Sequence, residues 1–147
     1  MEDLFKNQDV MSKINLPKGI FIRQFVETDF IVVQKLYEDE GWLTAITKPE
    51  ESLRAWKNSS ISLVAVDESK IIVGLIRALT DCEITTYIAE LLVNKNYRGK
   101  GLGKSLIDAC HHLYPHARLD LLSTESADEF YNRNKFKKIN GFRKSYY

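Results

Sequence analysis

The segment "NKNYRGKGLGKSL", Asn94 to Leu106, separates two hydrophobic rhythms. Before it, "EITTYIAELLV" (Glu83–Val93) is a β-rich run; after it, Leu102, Leu106, Ala109, Cys110 and Leu113 recur at helical spacing and stop before Pro115. A strand must therefore give way to a helix across three glycines and four basic residues, Lys95, Arg98, Lys100 and Lys104. The first turn of a helix carries N–H groups without intrahelical partners and a partial positive charge. Glycine at that point removes Cβ and lets an anion approach the backbone itself. A diphosphate-sized anion suits this mouth.

Three phosphate-binding patterns compete for the segment. The nucleoside-triphosphate loop G-x-x-x-x-G-K-[ST] would use Gly103-Lys104-Ser105, but it asks for glycine where Arg98 stands. The dinucleotide fingerprint G-x-G-x-x-G would use Gly99 and Gly101, but it asks for glycine at Lys104. Arg98-x-x-Gly101-x-Gly103 fits the third pattern, [QR]-x-x-G-x-[GA].

Around this junction the chain reads as one mixed domain over residues 1–147, with 1–18 as a loose arm or short added helix ending at "LPKG". "IFIRQFV" (Ile20–Val26) alternates as a strand. Thr28 or Asp29 caps a helix over "FIVVQKLYEDEG", and "TKPEESLRAWKNS" is a second helix with Pro49 in its first turn. "ISLVAVD" and "IIVGLIRALT" read as a hairpin about "ESK". "ARLDLL" is a buried strand, and "ESADEFYNRNKF" a helix capped by Ser123 or Thr124. The tail "FKKINGFRKSYY" reads as two short strands about Asn140-Gly141. The predicted order is β-α-α-β-β-β-α-β-α-β-β, an α/β fold with a mostly antiparallel central sheet.

Composition narrows the classes. With 44% hydrophobic and 28% charged residues the chain is a folding sequence, and a net charge of +1 gives no global pull toward nucleic acid or an anionic membrane. No apolar run spans a bilayer, and "MEDLFKNQDVMSK" does not read as a secretory signal, so the expected location is cytoplasmic. Two cysteines, Cys82 and Cys110, supply neither a disulfide framework nor metal-ligand spacing. Adjacent His111 and His112 diverge on a helix, so no metal is expected.

The segment "LLVNKNYRGKGLGKSLI" closely resembles the acetyl-coenzyme A loop of the GNAT superfamily of N-acetyltransferases, and the order of elements over residues 20–140 matches it too. "SADEFYNRNKF" is similar to the superfamily's later motif A-x-x-F-Y-x-x-x-G-F, with Ala127, Phe130, Tyr131 and Phe136 in place and Lys135 where glycine is usual. Asn134, tolerant of left-handed backbone, is the residue expected to make that turn instead. The resemblance implies the GNAT fold and transfer of acetyl from acetyl-CoA to a primary amine of a small molecule or peptide. An acyl-CoA-binding or regulatory module without chemistry is the alternative.

By the same resemblance, Leu91, Leu92 and Val93 would hydrogen-bond the pantetheine arm as an added strand edge. Arg98, Gly99, Lys100, Gly101, Leu102, Gly103 and Lys104 would hold the pyrophosphate, and Thr124, Asp128 and Tyr131 lie where further CoA contacts fall. Tyr131 matches the proton donor to the departing thiolate, a phenol of about 10 against a thiol of about 8.5. Glu90, the carboxylate on the preceding strand, is the candidate base or amine anchor, with Tyr87 in the opposite phase. The acidic run Glu38, Asp39 and Glu40 beside Trp42 suits a cationic acceptor, and the β-prone tail "FRKSYY" is a candidate homodimer surface.

Overall fold

Five strands form one sheet in the order β1-β2-β3-β4-β5. They are β1 (Phe21–Gln24), β2 (Ile61–Val66), β3 (Ile72–Thr80), β4 (Thr85–Val93) and β5 (Arg118–Leu121). The first four pair antiparallel, and β5 joins β4 in parallel after a helical crossover. The structure, a computed structural model, describes residues 11–146. Among these residues no helix is long and apolar enough to cross a membrane.

The helices cover both faces. On one lie α1 (Phe30–Glu40), the four-residue α2 (Thr44–Thr47) and α3 (Pro49–Asn58), which bury Val33, Leu36, Tyr37 and Trp56 against Val64, Leu75 and Leu92. On the other, α4 (Leu102–Leu113) buries Leu102, Leu106, Ala109 and Cys110 against Leu63, Ile76, Ala78 and Ile88. A last short helix, α5 (Asp128–Arg133), brings Phe130 and Tyr131 to the edge of this second core.

Several expectations change. Residues 11–18 do not hang loose: Ile14 is buried, and the Asn15 carbonyl accepts a hydrogen bond from Ser105 Oγ on α4 at 2.8 Å. The rest of the expected arm, residues 1–10, lies outside the described residues. Asp29 does not cap α1 through its side chain; its carboxylate instead accepts from the Val26 N–H and Arg23, and Arg23's two bonds, the largest influence, hold it below the ordinary carboxylate range. Neither Ser123 nor Thr124 makes a side-chain cap; Ser123 donates to Asp128.

The tail forms no strands. Residues 137–146 join no ladder; Lys138 bonds Asp128 of α5 and Gly141 packs on Leu122, while Phe142 is 98% and Ile139 63% exposed. Strand formation needs an edge to pair with, and β5 is only four residues long. The Asn140-Gly141 signal marks close packing instead, since a Cβ on Gly141 would come within 2.6 Å of Leu122 Cδ2. Cys110 is buried as expected, but Cys82 is exposed.

Candidate active site

The parallel pairing of β4 with β5 covers only Thr85 to Ile88, so the two strands part beyond Ile88. The second half of β4 therefore keeps its β3 partners through Val93 while its other edge faces a cleft. This cleft, about 540 Å³, is lined by Leu91, Leu92 and Val93 on one side and by Thr124, Phe130 and Tyr131 on the other. Its end is the mouth of α4, where Arg98, Gly99, Gly101, Leu102, Gly103 and Lys104 gather.

Gly99 and Gly101 both have left-handed backbone, φ 76° and 85°, which reverses the chain so that the first N–H groups of α4 face the mouth. Gly103 lines the cleft and also has a packing role. A Cβ there would meet the Phe130 ring at 3.0 Å, so this glycine lets α5 close against α4. Arg98 reaches back with Nε to the Val93 carbonyl at 3.0 Å and with Nη2 to Glu40 at 2.6 Å. Lys104 pairs with Asp108 at 2.6 Å. Lys100 stands outside the cleft lining, over the Tyr97 ring at 5.3 Å.

An extended ligand with a diphosphate end suits this shape. The open β4 edge offers unpaired backbone groups to an extended chain, and a helix mouth with adjacent cations suits a diphosphate. Among the described residues no group of three or more His, Cys, Asp or Glu side chains is arranged to hold a metal ion.

Tyr131 stands at the inner wall with its ring edge-on to Phe130 and Phe136, at 5.1 and 5.4 Å. Burial raises its phenol above the usual tyrosine value, so the proton stays on Oη through neutral pH. The turn that follows is made by Lys135 itself at φ 67°, not by Asn134 at φ −93°. The superfamily's glycine position thus keeps its left-handed backbone with a residue that does not favour it.

Two expected site residues point elsewhere. Asp128 accepts from Lys138 at 2.8 Å and Ser123 at 2.8 Å, which holds it below the ordinary carboxylate range, and it lines a separate cleft between β5 and the tail. Glu90 does not line the cofactor cleft either, nor does Tyr87. A register shift pairs Arg77 with Glu90 but Ala78 with Ile88, leaving Ala89 as an extra residue in β4. Ile88 packs toward α4, so without this bulge Glu90 would do the same. The bulge instead turns it to the α1–α3 face. There Arg77 donates to both carboxylate oxygens, at 3.2 and 3.1 Å, and Tyr37 Oη donates to one of them.

Sequence reasoning missed this network. Trp56 Nε1 donates to Tyr37 Oη at 3.0 Å, and Arg77 Nη1 to Ser59 Oγ at 3.1 Å. Burial, then the Glu90 charge, raises the Tyr37 phenol well above its usual value. For Arg77 burial opposes the charge, but Glu90 more than offsets it and the pKa lies above the ordinary arginine value. Tyr37 and Trp56 stand 19 positions apart on separate helices, and no local spacing says that their polar tips meet.

Residues 24–145 match the acetyltransferase (GNAT) domain family, and the chain belongs to it. Solved structures agree on the fold. An acetyltransferase from Deinococcus radiodurans R1 superposes with TM-score 0.71 at 21% identity, over 89% of this chain and 91% of that one. A GNAT-family acetyltransferase from Streptococcus pneumoniae TIGR4 gives TM-score 0.70 at 24% identity, over 86% and 96%. An aminoglycoside acetyltransferase from an uncultured soil metagenomic sample gives 0.66 at 24%, over 88% and 95%. No curated protein matches the chain at a significant level.

Proposed function

We propose that this chain transfers an acetyl group from acetyl-CoA to a primary amine of a small molecule or peptide. The observation that carries the reading is the parting of β4 and β5 beyond Ile88, which joins an open strand edge to a glycine-turned helix mouth in one cleft. Bound acetyl-CoA would supply an activated thioester for direct attack by the amine nitrogen. Leu91, Leu92 and Val93 offer the backbone edge for the pantetheine arm, and the first N–H groups of α4 with Arg98 hold the pyrophosphate end.

Tyr131 Oη holds the proton destined for the departing sulfur; its place on the cleft wall and its buried, protonated phenol support that role. Glu90 is better suited to position than to act as base, because Arg77 and Tyr37 already occupy its oxygens. Tyr37 in turn lies flat against Trp42, whose ring lines the cleft, at 5.9 Å and 27°. Glu90 thus steadies the aromatic wall through Tyr37.

Isothermal titration with acetyl-CoA tests the first part, and no heat at millimolar ligand would remove it. An amine panel assayed by thiol release tests the second. With Tyr131→Phe, turnover should fall about 10²-fold or more while acetyl-CoA affinity holds. In wild type, loss of this acid should not reduce the rate anywhere in the neutral range, because burial keeps the phenol protonated beyond the ordinary tyrosine value. The second reading, an acyl-CoA-binding module without chemistry, is favoured by one observation, the fully engaged Glu90 carboxylate. Binding without thiol release across the panel would select it.

A further inference from the structure

Glu40 is the only acidic residue lining the cleft among the described residues, and it spends its charge on Arg98. Its helix neighbours are already engaged: Lys35 pairs with Glu38 at 3.6 Å and with Asp39 at 3.1 Å. The acidic run therefore does not act as one patch. Glu40 alone, the last residue of α1, reaches across 58 positions of sequence to the loop that opens α4.

That pairing creates a conflict. Arg98 is, with Lys104, a cation at the mouth where a pyrophosphate would sit, and a carboxylate on its guanidinium repels the incoming phosphates. The pyrophosphate carries two negative charges against the single charge of the carboxylate and matches the guanidinium fork as well. Once they take Arg98, Glu40 is left in the cleft without its partner. Beside it, Gly41 turns the chain in left-handed backbone, and Trp42 presents an indole to the same cleft. A carboxylate next to an aromatic face is a site for an organic cation. Such a cation cannot be the reacting nitrogen, which must be neutral to attack.

Building on the acyl-CoA reading above, we propose that Glu40 couples cofactor to acceptor. Arg98 holds it until the cofactor's pyrophosphate takes the guanidinium. Glu40 then binds, with Trp42, a second cationic group of the amine acceptor. The acceptor class is thus an amine with another positive charge, such as an aliphatic diamine or longer polyamine.

The test is calorimetry on the full chain as wild type, Glu40→Gln, Arg98→Gln and the double variant. Acetyl-CoA should bind Glu40→Gln about threefold or more tighter than wild type and Arg98→Gln about tenfold more weakly. Glu40→Gln should add nothing once Arg98 is gone. With saturating CoA, 1,5-diaminopentane should bind wild type about tenfold more tightly than without it, and Glu40→Gln should abolish the gain. Pentylamine, with one nitrogen, should show no gain. Unchanged or weaker acetyl-CoA binding by Glu40→Gln overturns the coupling, as does a gain that persists without Arg98 or a diamine response independent of Glu40. Wild type that fails to bind acetyl-CoA at all removes the acyl-CoA reading itself, a different result from binding without a Glu40 effect. Circular dichroism on each variant confirms that the fold is retained.

Discussion

Two neighbouring stretches of β4 support opposite kinds of polar site. Around Glu90, on the α1–α3 face, each polar tip is answered: Trp56, Tyr37, Arg77 and Ser59 form a continuous chain of hydrogen bonds through its carboxylate. Along Leu91 to Val93, past the last β5 pairing, backbone edge and helix mouth face outward into a cleft. A saturated network rigidifies, whereas donors left over are available to a ligand. The carboxylate that the family resemblance nominates for chemistry thus sits in the closed region, and the strand edge proposed to bind the cofactor lies a few residues away in the open one.

That contrast can be broken most forcefully at Trp56, which is 1% exposed and packs on Phe25 at 4.6 Å. Trp56→Ala should cost about 3–5 kcal/mol of stability in urea unfolding, while acetyl-CoA affinity at a temperature where the variant is folded stays near wild type. A large affinity loss would show that the two regions are one unit. Tyr37→Phe is subtler. It keeps the ring against Trp42 but leaves the buried Trp56 N–H without its acceptor and removes one of the two hydrogen bonds to a Glu90 oxygen that Arg77 still holds, so about 1–3 kcal/mol should be lost.

On the open side, Gly101→Ala meets no atom within 4 Å, so its effect isolates backbone conformation. Holding alanine at φ 85° should cost about 1–2 kcal/mol and weaken acetyl-CoA binding by disturbing the helix mouth. The smallest effect is a gain. Lys135→Gly relieves left-handed strain of about 1–2 kcal/mol but adds about 0.5–1 kcal/mol of unfolded-chain freedom, so the melting temperature should rise slightly. A fall would show that the Lys135 side chain contributes contacts of its own.

Much of this molecule was legible before any coordinates. The switch of hydrophobic period at Asn94 placed the strand, the loop and α4, because a buried face forces its own spacing on the chain. Pro49 does stand at the first position of its helix, and Gly41 does end α1 in left-handed backbone. The tail was misread for the complementary reason. Alternation and an Asn-Gly pair describe a segment able to pair, but pairing depends on the edge that β5 leaves, and residues 137–146 form no strand there.

Local pattern alone determined the glycine loop between β4 and α4 and the faces of the helices, since both depend on residues near one another in sequence. Tertiary structure decided everything that joins distant positions. It turned Glu90 through the Ala89 bulge, set Gly103 against Phe130, and brought Glu40 to Arg98. A one-residue change of register sends a strand side chain to the opposite face. Which partner it finds there depends on elements packed in from elsewhere in the chain.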